Sequence, residues 1–124
     1  MTYNNNIILN ILQSNFWDEI EICVADYIIS LDEFNLAENF DNIVDYAELD
    51  SINEMLVDSY EIKLEAEEDR EYISGIIEIE CSIDGYVHWD RENIAIDKGI
   101  VNVGVQFSFC SEKDKYYDLE LELI

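Results

Sequence analysis

GIIEIECSIDGYVHW, residues 75–89, is the stretch that sets the fold class. Ile77, Ile79, Cys81 and Ile83 alternate with Glu78, Glu80, Ser82 and Asp84. A period of two with one apolar and one acidic phase is the signature of a strand with one face in a core and one in water. Asp84-Gly85 carries hairpin chemistry, which predicts a turn there and a short strand over Tyr86–Trp89. The same alternation recurs on both sides of this stretch. Tyr60, Ile62, Leu64 and Ala66 alternate with Glu61, Lys63, Glu65 and Glu67. EEDRE, residues 67–71, reads as a turn. Val101, Val103, Val105, Phe107 and Phe109 alternate with Asn102, Gly104, Gln106 and Ser108. SEKDK, residues 111–115, leads into Tyr117, Leu119, Leu121 and Leu123, which alternate with Asp118, Glu120 and Glu122. Residues 90–99 read as a polar connection.

Before about residue 54 the period is helical. Ile7, Ile8, Ile11 and Leu12 predict a short helix over 5–13. Asn15 is positioned as an N-cap for a helix over 16–31, with Asp18 and Glu19 in its first turn and Trp17, Ile20, Val24, Tyr27, Ile28 and Leu31 on one stripe; a strand over Glu19–Ile22 is the competing reading. Residues 39–49 predict a third helix, with Phe40, Ile43, Val44 and Ala47 inward and Asp41, Asp45 and Glu48 outward. The expected fold class is α+β in a single domain over 1–124. N-terminal helices (1–50) pack on one face of an antiparallel sheet of four to five strands, a β meander over 54–124.

Charge is the second decisive property. Thirty Asp and Glu face six Lys and Arg among 124 residues, a formal net charge of −24. Solubility of a small domain asks for a magnitude of only about 2–8, and self-repulsion at this level opposes folding. The chain is 49% hydrophobic, with 12% aromatics, so the acid sits on a folded body rather than on a disordered tail. Abundant Ile and Asn and the absence of Pro argue against halophilic adaptation. No Lys or Arg precedes Lys63. Nucleic acid and anionic membranes are repelled by such a surface, whereas basic proteins are steered towards it. No basic leader and no long apolar run is visible, so neither a signal peptide nor a membrane span is expected. Three cysteines, Cys23, Cys81 and Cys110, without a CxxC or Cys/His cluster, fit reduced thiols in a cytoplasm and no zinc site.

The expected binding surface is the outer phase of the strands: Glu61 and Glu65; Glu78, Glu80 and Asp84; Asp118, Glu120 and Glu122. The acids of the third helix, Asp41, Asp45 and Glu48, add to it. Alternate strand residues stand roughly 6.6–6.8 Å apart, so a row of carboxylates approximates a row of phosphates. Solvation alone accounts for one such row, but facing carboxylates repel across a ladder and Glu is a poor strand former, which favours a function for several.

Other chemistry is weakly supported. Asp41, Asp45 and Glu48, or Glu67, Glu68 and Asp69, offer oxygen ligands, but no EF-hand loop occurs and no metal or other cofactor is expected. His88 is the only histidine. A nucleophile at Cys81 or Cys110 with His88 and Asp90 can be drawn, but both cysteines lie in or beside apolar rows. No P-loop, GxSxG or HExxH is present, and the chain is not expected to be an enzyme. Arg70 and Arg91 are expected in local ion pairs. Trp89, Tyr116 and Tyr117 are candidate interface anchors, and Trp17 a core residue.

YISGIIEIECSIDGYVHWDRENIAID, residues 72–97, followed by VNVGVQFSF and YYDLELELI, resembles an acidic β module in the C-terminal parts of prokaryotic defence-linked proteins of the PIN-nuclease type. The acidic PIN active-site segments are not recognisable, so nuclease activity is not implied. In size, acidity and α+β pattern the chain is also similar to small phage anti-CRISPR inhibitors and other DNA mimics. That resemblance implies occupation of the DNA-binding or PAM-reading cleft of a CRISPR effector nuclease. An immunity protein or antitoxin masking a basic nuclease toxin uses the same recognition chemistry. A structural or ligand-binding module of a defence protein is the reading from another class.

Overall fold

Helix formation follows the apolar spacing. In α1 (Asn5–Asn15), Ile8, Ile11 and Leu12 form the buried stripe, and the Asn4 side chain caps the N-terminus by accepting from the Ile7 amide at 2.9 Å. Asn15 is the last residue of this helix rather than the cap of the next: its amide Nδ2 donates to the Ile11 carbonyl at 2.9 Å. A one-residue break at Phe16, whose ring is buried, leads directly into α2 (Trp17–Ile29). Ile20, Val24 and Ile28, one turn apart, are its fully buried residues. α3 (Glu33–Asn39) is capped by Asp32, which accepts from the Asn35 amide at 2.9 Å.

The computed structural model describes residues 2–65 and 69–124. Three helices pack with a four-stranded antiparallel sheet, so the fold is α+β. The strands are β1 (Tyr46–Glu65), β2 (Arg70–Trp89), β3 (Glu92–Glu112) and β4 (Lys115–Leu123), in the order β1-β2-β3-β4. The expected Ala66 and Glu67 positions, and much of the EEDRE turn, lie outside the described residues.

Three sequence expectations are corrected. The third helix is not at 39–49: α3 ends at Asn39, and Ala47 and Glu48 belong to β1. Ile43, expected inward, is 93% exposed, while Phe40, Val44 and Ala47 are buried. Asp84-Gly85 makes no turn, because β2 runs through it. A Cβ on Gly85 would stand 2.7 Å from Val44 Cγ1 and 3.0 Å from Phe40 Cε1, so glycine serves close packing there. The chain reverses instead at Asp90-Arg91, with φ of 47° and 71°, and again at Lys113-Asp114, with 49° and 64°. Two-residue loops with both φ positive match the twist of the flanking strands. The segment after the first of them is strand from Glu92 onward, not a polar connection.

β4 also departs from simple alternation. Ser108 pairs with Glu120, but Cys110 pairs with Tyr117, so β4 holds an extra residue, and Asp118 has φ of 56°. This bulge changes the phase. Tyr117 joins the face of Glu120 and Glu122, leaving the leucine row, while Tyr116 meets Phe109 edge-on at 6.1 Å. On β1, Ile62 and Leu64, expected inward, are 39% and 70% exposed. β1 is an edge strand, with sheet neighbours on one side only.

The residues cluster into two compact units, each drawing on both halves of the chain. Unit 1 comprises residues 1–20, 55–79 and 103–124. Its core sets Ile8, Leu12 and Phe16 with Ile73, Ile77, Val105, Phe107 and Phe109, all buried; the Phe16 and Phe109 rings are 5.5 Å apart. Unit 2 comprises residues 21–54 and 80–102, with Val24, Ile28, Leu36, Phe40, Val44, Cys81 and Ile83 in its core. There the Asp97 carboxylate accepts from the Asn42 amide at 3.0 Å, the Lys98 amide at 2.8 Å and the Asn42 side chain at 3.2 Å.

Two outcomes test this packing. A Cβ at Gly75 would lie 2.1 Å from the Ser59 carbonyl oxygen and 2.9 Å from Phe107 Cζ, whereas at Gly104 the nearest atom, Ile124 Cδ1, is 3.6 Å away. Gly75→Ala is expected to destabilise by about 2 kcal/mol or more, and Gly104→Ala to leave stability unchanged or raised, by urea denaturation. The bonds from the Asn42 and Lys98 amides hold the Asp97 pKa below its ordinary 3.8. The stability this carboxylate adds is therefore present above about pH 4 and lost as pH falls through its lower folded value. Asp97→Asn should unfold at lower urea than wild type at pH 7, and the gap should narrow by pH 2.

Candidate acidic binding surface

No described Asp or Glu residue is buried, so the acidity lies at the surface of both units. It is most one-sided in unit 2, where fifteen acidic residues face only Arg91 and Lys98.

On the outer sheet face of unit 2, Tyr46 of β1 stacks on Tyr86 of β2 with ring centroids 5.2 Å apart and planes at 10°. His88, two residues on, lies 5.4 Å from Tyr46. Burial raises the Tyr86 pKa most, and the charges of Glu48, Asp84 and Asp50 raise it further. Glu48 and Asp84 stand two residues along their strands from Tyr46 and Tyr86, on the same phase, with Asp50 two residues beyond Glu48. Beside the stack a groove of about 330 Å³ is lined by Asp50, Ser82, Asp84, Lys98 and Ile100. Lys98 Nζ reaches Asp84 Oδ1 at 3.4 Å, with the lysine side chain 82% exposed. The lysine end of the pair lies in solvent, while the Asp84 side chain is 18% exposed. Planar guanidinium groups bind carboxylates through paired hydrogen bonds and stack on aromatic faces. A second groove, of about 290 Å³, is lined by Glu21, Ala25 and Ile29 of α2 and by residues 48–52 of β1.

The expected helical acids therefore separate. Glu48 stands on the phase of the stacked tyrosines. Asp45 is turned to the chain: its carboxylate accepts from the His88 amide at 2.8 Å, and its own amide donates to the Tyr86 carbonyl at 2.7 Å. Asp41 is exposed next to Asn42, and its amide donates to Asp97.

In unit 1 the acids divide into an open set and a neutralised set. Glu120 and Glu122 stand opposite Ser108 and Gln106, and with Tyr72 and Ser74 line a groove of about 550 Å³. Glu61 and Glu78 are exposed on β1 and β2. Glu65, by contrast, binds Arg70 Nε at 2.8 Å. Tyr117 donates to Glu112 at 2.9 Å, and Asp118 sits in the bulge. The strand order places β1 and β4 at opposite edges, and the outer phase of β3 carries Asn102, Gly104, Gln106 and Ser108. In unit 1 Glu78 of β2 and Glu120 and Glu122 of β4 are thus separated by the uncharged 103–108 stretch of β3, at roughly 10 Å. Within unit 1 the outward acids therefore form separate groups rather than one continuous field.

The Cys81–His88–Asp90 arrangement is not assembled: Cys81 is fully buried on the inner phase of β2, while His88 is exposed on the other. The His88 ring instead bonds Asn93 through Nδ1 and Asn93 Oδ1. Among the described residues no group of three His, Cys, Asp or Glu side chains is placed to hold a metal ion; Glu67 and Glu68 lie outside them. Trp89 is 69% exposed. Glu21 and the tyrosine stack were absent from the sequence-based site. Pairing Tyr46 with Tyr86 required the β1–β2 register, and residues 39–49 read as helix hid it.

No protein-family model, curated protein or solved structure matches the chain.

Burial, with the Glu80 charge adding to it, pushes the Cys81 thiol up to about 11. Cys81 is expected to resist maleimide at pH 7.5 in the native protein and to react within minutes in urea, as mass spectrometry of the labelled peptide would report.

Proposed function

We propose that this protein is an acidic decoy that captures a basic nucleic-acid-binding protein by standing in for the phosphate backbone. The observation that carries the reading is the unit 2 face, where Glu48 and Asp84 flank the stacked Tyr46 and Tyr86 on the same strand phase, with Asp50 two residues beyond Glu48, within a body that has fifteen acidic residues and two basic ones. Carboxylates supply the charge that a DNA cleft is built to accept, and the aromatic faces add stacking surface for its arginines. Glu120 and Glu122 offer a second, separate row. The resemblance to small phage anti-CRISPR proteins directs the proposal to a CRISPR effector nuclease as target, with the DNA- or PAM-binding cleft occupied and the nuclease inhibited in the cytoplasm. No described helix is long and apolar enough to cross a membrane. In this role the chain itself performs no catalysis and binds no nucleic acid.

The test is retention of host proteins on the immobilised chain at rising salt, followed by competition with duplex DNA. Basic nucleic-acid-binding proteins should be held at about 50 mM salt and weakened by orders of magnitude by about 200 mM. Duplex DNA and this protein should exclude each other from the retained target. Replacing Glu48, Asp50 and Asp84 with Gln, Asn and Asn should weaken capture at least tenfold, and more than Glu120→Gln with Glu122→Gln. Retention of only neutral or acidic proteins, or simultaneous binding of DNA and decoy to the target, would refute the proposal. A basic nuclease toxin as the retained species would make the protein an immunity protein.

A further inference from the structure

Ser108 is the one polar side chain buried among the described residues, at 9% exposure. It lies between Phe107 and Phe109, both buried in the core of unit 1, so its own side chain takes the opposite, outer phase of β3. A buried hydroxyl ordinarily has a hydrogen-bond partner. Among the described residues no hydrogen bond reaches the Ser108 hydroxyl, and Ser108 lines the groove of about 550 Å³ in unit 1.

The other polar groups of that groove come from three neighbouring strands. β2 gives Tyr72 and Ser74, β3 gives Gln106 beside Ser108, and β4 gives Glu120 and Glu122. Glu120 stands opposite Ser108, and Glu122 opposite Gln106, which sets each pair of Cβ atoms about 4.5–5.5 Å apart. Both carboxylates are exposed, and among the described residues no cation pairs with either. Every polar side chain in the groove can accept a hydrogen bond, and the two carboxylates can only accept. An anion is repelled here, and a neutral hydroxylated ligand leaves both carboxylates without a counter-charge. A lysine ammonium brings three donors on a point charge. A guanidinium brings five in one plane, pairs with carboxylates and stacks on aromatic rings such as that of Tyr72.

We infer that the groove over Ser108 takes the guanidinium of an arginine side chain of the captured protein, with a Glu120 or Glu122 carboxylate and the Ser108 hydroxyl accepting its N–H groups. The source of the arginine rests on the acidic-capture reading, whereas the site rests on Ser108 and its neighbours.

The probe is acetyl-Gly-Arg-Gly-amide, added to the full ¹⁵N-labelled chain. Saturable shift changes are expected at Ser74, Ser108, Glu120 and the Gln106 side-chain amide. The same peptide with citrulline, the neutral isostere of arginine, should bind at least tenfold more weakly, and the lysine peptide at least threefold. Ser108→Ala should weaken arginine binding at least threefold while its urea midpoint stays unchanged or rises, because no partner within the chain is lost. Glu120→Gln with Glu122→Gln should remove saturable binding. Wild-type affinity in Ser108→Ala would overturn the site. Equal binding of the citrulline peptide would overturn guanidinium recognition, and equal binding of the lysine peptide would replace it with charge alone. Shifts confined to the surroundings of Tyr46 and Tyr86, or none up to about 20 mM peptide, would sink the groove and leave acidic capture standing. Agmatine, a free alkylguanidine, binding at least tenfold tighter than the capped peptide would overturn the protein source. Arginine binding in the groove with no basic protein retained on the immobilised chain would sink the capture reading and, with it, that source, but not the site.

Discussion

The structure depends on how completely β2 separates its two phases. Ile73, Ile77, Ile79 and Cys81 are fully buried and Ile83 nearly so, while Glu78 on the other phase is exposed. A chain of net charge −24 folds only if apolar burial outweighs both conformational entropy and mutual repulsion of its carboxylates. Each fully buried isoleucine contributes roughly 1.5–3 kcal/mol. Concentrating them on one side of a strand leaves the other side free to carry acid.

The same separation explains the character of the surface. With long strands and short turns, most outward positions are strand positions, where side chains are held at fixed spacing. On unit 2 this sets Glu48 and Asp84 on the same phase as two stacked tyrosines, two residues along each strand. On unit 1 the bulge at Asp118 shifts Tyr117 to the outer face and leaves Glu120 and Glu122 as a pair opposite neutral partners. Charge density is therefore local, set by register and by which strands carry uncharged residues.

Much of this was legible in the residues. Alternation identified the faces of β2 over 77–84 and of β3 over 101–109, and the spacing of Ile8, Ile11 and Leu12 and of Ile20, Val24 and Ile28 identified two helices. What was misread has a common cause: residues whose role is set by distant neighbours. Gly85 resembles a turn residue, but its missing side chain makes room for Phe40 and Val44. Asp90, Arg91, Lys113 and Asp114 occupy left-handed turn positions without glycine, and only pairing of the flanking strands favours that conformation. Phe40, Val44 and Ala47 are buried, as helix spacing implied, yet they lie in extended and strand segments. Which acidic rows adjoin was not legible, because strand order, and with it the uncharged 102–108 stretch of β3 between Glu78 and Glu120, is not written in any local pattern.

The pairing of Phe16 with Phe109 in unit 1 bears on how the chain is made. The two rings are 5.5 Å apart, yet their residues are far apart in the chain. At about 5–20 residues per second, several seconds separate the synthesis of the first ring from that of its partner. During that interval the apolar face of α1 must wait for strands not yet made, and contacts of long sequence separation are slow to form. Residues 1–62 carry no Lys or Arg, so like-charge repulsion opposes association of neighbouring nascent chains over that interval. The acidity thus favours colloidal stability of the unfinished protein.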